Sequence, residues 1–155
     1  MEKQDELISV LNELIRINND RVVGYERAAK EAKDLDVDLI ATFNQMADQS
    51  RKYKSELVQE VNRLGGDAAS DTTVSGKVYR VWMDLKAAIT GKDRETILGN
   101  CEYGEDVAQR AYEAALESDA YMSTEIRQLI TSQKSDLKTS HDLIKKYRDL
   151  HEKLS

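Results

Sequence analysis

The sequence predicts an all-α protein, an antiparallel four-helix bundle with a long crossover carrying a short fifth helix between its second and third helices. Three observations carry this. The 155 residues include no proline and only seven glycines, so little interrupts a helix. Four long stretches place apolar residues at three and four spacing, the period of one buried helix face. The link after the second stretch is long, whereas the other two connections are short.

The first helix runs from about Gln4 to Lys33, with Leu7, Leu11, Leu14, Tyr25 and Ala28 on its inward face. Its middle, Ile17-Asn18-Asn19-Asp20-Arg21, is polar, and Asn18 falls on the inward line. A buried asparagine needs partners and can fix helix register. Asp34 to Asp38 offers N-cap residues for the second helix, about Asp38 to Leu64, with Phe43, Met46, Ser50, Tyr53, Leu57 and Val61 inward. Gly65-Gly66 stops it.

Residues 67–73 form the most loop-like and most mobile segment of the sequence. A short helix from about Val74 to Ile89 then carries the chain across the bundle, with Trp82 as its core anchor or as a subunit contact. Asp93 can cap the third helix, which runs to about Leu116. Ser123 starts the fourth, which runs to about Lys153 with Ile126, Ile130, Gln133, Leu137, Ile144, Tyr147 and Leu150 inward. The whole is one domain, 1–155, large enough to bury a core without disulfides.

Composition narrows the function classes. The formal charge is −6 with lysines and arginines interleaved among acids, which argues against nucleic acid as a partner. No apolar run approaches the roughly 20 residues of a membrane span, and the start Met1-Glu2-Lys3-Gln4-Asp5 has no signal-type apolar core. One cysteine excludes an intrachain disulfide and suits a reducing cytoplasm. No serine, histidine and acid stand in triad order and no glycine-rich phosphate loop is present, so hydrolase and kinase chemistry has no support.

One stretch is out of place, Asn100-Cys101-Glu102-Tyr103-Gly104-Glu105-Asp106. Glu105 shares an apolar face with Cys101, Ala108 and Tyr112, yet no base lies three or four positions away. Its partner must come from another helix or from an ion. Lys52 and Arg51 are the expected bases, and Tyr25, Tyr53 and Gln133 the expected hydrogen-bond donors. Elsewhere, Glu26 is expected to pair with Lys30 and Asp106 with Arg110, each at i+4. Cys101 reads as a small core residue and His141 as a satisfied polar group at the bundle border.

The stretches Leu11-Asn12-Glu13-Leu14-Ile15, Gly24-Tyr25-Glu26, Trp82-Met83-Asp84-Leu85-Lys86 and Cys101 to Asp106 resemble an uncharacterised bacterial family of ferritin-like four-helix bundles, a domain of unknown function. The resemblance covers nearly the whole chain and implies the ferritin-like fold. The wider superfamily binds two iron or manganese ions with one glutamate on each of two helices and a Glu-x-x-His pair on each of the others. By that resemblance Glu26 and Glu105 match the lone glutamates. Counted from the short turns, Glu26 lies level with Met46 to Gln49, and Glu105 with Gln133 to Asp136. Both Glu-x-x-His pairs are missing: Lys138 stands three before His141, and Arg148 three before His151.

Two readings follow. In the first, the metal site is degenerate, no cofactor is expected, and a cytoplasmic bundle works through homo-oligomeric or other protein contacts, with a stress role implied by the ferritin-like resemblance. In the second, Glu26, Asp48, Gln49, Glu102, Glu105 and Gln133, with Asp136, form an atypical Fe or Mn site for an oxidoreductase or storage protein. Carboxylate and amide ligands suit hard ions. A base aimed at Glu105 would take the place of the cation.

Overall fold

A computed structural model describes residues 2–32, 37–71 and 94–154. The described residues form four helices: α1 (Glu2–Ala32), α2 (Val37–Arg63), α3 (Arg94–Glu117) and α4 (Thr124–Leu154). Among the described residues there is no strand, and no helix is long and apolar enough to cross a membrane. The predicted crossover helix, Trp82 and Asp93 lie outside the described residues.

Each helix meets two others, so the order around the bundle is α1, α2, α4, α3. Every neighbouring pair is antiparallel. Gln4 reaches the Leu64 carbonyl at one end of the α1–α2 hairpin, while Glu26 meets Arg51 toward the other. On the other hairpin, Arg127 reaches the Leu116 carbonyl and Arg148 meets Glu102. The core is continuous from Leu7, Leu11 and Leu57 through Tyr25, Phe43 and Ile97, and the Tyr25 and Phe43 rings lie 5.8 Å apart.

Local chemistry sets the helix ends. The Gly65 amide donates to the Asn62 carbonyl and the Gly66 amide to the Val61 carbonyl, the paired bonds of a Schellman turn. Gly65 takes the required left-handed conformation, with φ of 80°. The α-carbon of Gly66 lies against Ile8, where an added Cβ would stand 2.8 Å from its Cδ1, so the turn is also packed onto α1. At the start of α4, Ser123 Oγ accepts from the Ile126 amide, as an N-cap does.

Residues 67–71 are irregular, as expected, but they are held along α1. Asn12 grips the backbone twice, donating to the Asp67 carbonyl and accepting from the Ala69 amide. Asn19 donates to the Asp71 carbonyl, and Arg16 donates to its carboxylate at 2.9 Å. That carboxylate is held below the usual range by its bond to Arg16. Asn18, Asn19, Asp20 and Arg21 are all buried: four successive residues point around most of a helix's circumference, so α1 is covered on nearly every side here, and the segment supplies that cover at Asn19.

Leu150 corrects the inward stripe expected for the last helix. It is 46% exposed, because it lies seven residues after the exposed Leu143 and so returns to that outward line. Replacing Gly65 by alanine is expected to lower stability by about 1–2 kcal/mol through the left-handed backbone it must keep, measured as the midpoint and slope of urea unfolding. An unchanged midpoint would show that the turn tolerates a side chain.

Candidate functional site: a buried polar network

Arg21 and Glu105 form the centre of the bundle. Each side chain is wholly buried, and the guanidinium donates through Nε to Oε1 at 2.6 Å and through Nη2 to Oε2 at 2.9 Å. Two parallel bonds of this kind fix geometry as well as charge. Burial opposes the arginine's charge, yet the facing Glu105 carboxylate holds its pKa above the ordinary value. The guanidinium also lies 5.2 Å from the centre of the Tyr25 ring, within cation–π range.

From Arg21 a directional run of hydrogen bonds crosses all four helices. Arg21 Nη1 donates to Ser50 Oγ, and Ser50 donates to Asn18 Oδ1 at 2.9 Å. Asn18 Nδ2 donates to the Tyr112 hydroxyl at 2.9 Å, and that hydroxyl donates to Gln133 Oε1 at 2.7 Å. Gln133 Nε2 donates in turn to Glu56 at 3.0 Å. A branch runs through Gln49 Oε1, which accepts from Ser140 at 2.9 Å. The Ser50 and Tyr112 hydroxyls each accept once and donate once, so these buried groups satisfy one another as the low-dielectric interior demands.

The phenols follow the same logic. Burial, followed by the nearby Glu105 carboxylate, pushes Tyr25 well above its usual range. Burial also raises Tyr112, and burial with the bond to Asp136 raises Tyr53. All three stay protonated at physiological pH.

The structure distributes the candidate ligands over several places. Glu105, Gln49 and Gln133 belong to the network. Glu26 and Asp48 lie outside it, bonded to the two ends of Arg51 at 2.6 and 2.5 Å on the half-exposed α1–α2 surface. Glu102 pairs with Arg148 at 2.7 Å on the α3–α4 flank, and Asp136 takes the Tyr53 hydroxyl.

Four expected pairings and levels are therefore corrected. Glu105 is met by Arg21 of α1, not by Lys52 or Arg51 of α2, because Arg21 continues the inward line Leu14, Asn18, Tyr25 at steps of three and four. Glu26 takes Arg51 from the facing helix instead of Lys30. Asp106 takes His141 at 2.6 Å instead of Arg110. Gln133 is level with Tyr112, nearly two turns from Glu105. The connection at 118–123 lets α4 begin beyond the end of α3, so counting from a tight turn placed Glu105 too early on α4. Asn18 and Cys101 are buried as expected.

The family described as "Domain of unknown function (DUF2383)" matches residues 6–118. No curated protein matches the chain. Among solved structures, a point mutant of Mycobacterium smegmatis Dps1 superposes with a TM-score of 0.79 at 12% identity, covering 95% of this chain and 97% of that one. At that identity the likeness is one of fold.

Replacing Arg21 by methionine strands a buried carboxylate and should cost about 3–5 kcal/mol, whereas Arg21→Met with Glu105→Leu should recover most of it; chemical denaturation of the two variants measures the difference. An equal loss in both would assign the cost to packing. At high pH, the folded bundle holds the protons of Tyr25, Tyr53 and Tyr112 more tightly than an unfolded chain whose phenols ionise near about pH 10. Stability from these groups is complete below about pH 10 and falls as pH rises further. Tyrosinate absorbance followed with circular dichroism should show them ionising together with unfolding, and full ionisation of all seven tyrosines in a folded bundle would refute it.

Proposed function

The chain belongs to the DUF2383 family, ferritin-like four-helix bundles of unknown function, and on that basis we propose that it is a non-catalytic bundle in which Arg21 takes the place of the metal pair. The observation that carries this is the fully buried, two-bonded contact of Arg21 with Glu105. A guanidinium already neutralises the acid that would otherwise require a cation, and the surrounding amides and hydroxyls are spent on one another. A divalent ion at this point would meet like charge and would have to expel a buried arginine.

With the centre given to structure, the protein works through its surface, as a partner for another copy or another protein. Tyr103, Tyr121, Leu143 and Leu150 remain exposed on the α3–α4 hairpin, and apolar side chains of this size supply contact area. A cytoplasmic setting belongs to the same reading, supported by the buried free thiol of Cys101. A stress role rests on the ferritin-like likeness alone.

The test is metal retention by wild type and Glu105→Gln after incubation with Fe(II) or Mn(II), with circular dichroism to confirm that both are folded. Equal retention is expected. Loss of bound metal on this single change would reinstate the atypical Fe or Mn site built on Glu105.

A further inference from the structure

Outside the central network, three metal-ligating groups converge on the flank between α3 and α4. Glu102 and Asp106 are four residues apart on α3 and so face the same way. His141 meets them from α4. One donor atom from each of the three lies within 4.8 Å of the other two. Glu102 and His141 are mostly covered, with side-chain exposures of 14% and 19%, whereas Asp106 is 42% exposed. The cluster is thus held by the bundle on one side and open to water on the other.

We propose that Glu102, Asp106 and His141 form a binding site for a single divalent transition-metal ion, distinct from the position closed by Arg21. Three features of the surroundings fit this use. First, the imidazole is oriented at both nitrogens. Nε2 points at Asp106, 2.6 Å away, while Nδ1 lies 3.2 Å from Asp142 Oδ1. A carboxylate behind Nδ1 keeps a proton on that nitrogen, so that Nε2, once its own proton is displaced, turns its lone pair to the ligands.

Second, the dimensions suit an ion. Bonds of about 2.0–2.2 Å bring tetrahedral donors to roughly 3.3 Å apart. Asp106 and His141 need only part by a fraction of an ångström, exchanging their mutual hydrogen bond for two bonds to the metal as the Nε2 proton is released to water.

Third, the site has its own exchangeable counter-charge. Arg148 Nη1 holds Glu102 at 2.7 Å, and its Nη2 already lies 3.4 Å from Asp149. A small rotation transfers the guanidinium to Asp149 and frees Glu102. One imidazole with two carboxylates selects a first-row ion such as Zn(II) or Co(II) over calcium or magnesium, which take oxygen alone. Water fills the remaining position.

The test is titration of the apo protein with Co(II), followed by visible absorbance, and with Zn(II), followed by calorimetry. One equivalent should bind. Affinity should fall about tenfold or more in His141→Ala and in Asp106→Asn, and rise in Arg148→Gln, where the competing charge is gone. His151→Ala removes the only other histidine and should change nothing. Wild type that binds no ion, binding that survives both His141→Ala and Asp106→Asn, or binding lost with His151→Ala would each overturn the proposal. The rise in Arg148→Gln reads the site even if a ligand variant folds poorly, and an affinity there equal to or below wild type would count against it.

Discussion

The bundle depends on a charge that cannot be hydrated. Once Glu105 faces the interior, its carboxylate must be ionised beside a cation or protonated at a cost, and a chain without a metal there needs an internal base. Arg21 supplies it from across the bundle. Everything around the pair follows from that choice. The guanidinium brings more donors than one carboxylate can accept, so Ser50 and Gln49 take the others. Their own needs pass outward through Asn18, Tyr112 and Gln133 until Glu56 ends the run at the edge of the core.

Such a network adds little net stability over an apolar core of the same shape. Its effect is on alignment. A slip of one hairpin against the other by a single turn, about 5.4 Å, leaves the apolar stripes in tolerable contact but parts Arg21 from Glu105 and Asn18 from Tyr112. The long helices are thereby held to one level. The tether of residues 67–71 to Asn12, Arg16 and Asn19 acts in the same direction by covering the outer side of the polar stretch of α1.

The four long helices were legible in the sequence because apolar spacing, Gly65-Gly66 and Ser123 are local signals. So was the fact that Glu105 lacked a partner on its own helix, and that Asn18 would be buried. The partner itself was not legible, although Arg21 stands three residues after Asn18 and four before Tyr25. A basic residue in a polar run reads as surface when a helix is assumed to have one wet side, and α1 has none at that level. The pairing of Asp106 with His141 was hidden for a different reason: the level of α4 against α3 is set by the geometry of residues 118–123, which composition does not encode.

Cys101 gives the molecule a use for an unremarkable core position. It is the single cysteine of the chain, fully buried, on the same face of α3 as Glu105. A reagent that attacks thiols reaches it only when the hairpins part, since a closed helix pair leaves no path to its sulfur. The rate at which such a reagent modifies the intact protein therefore counts openings of the bundle, and reports on the centre of the network without any change to the sequence.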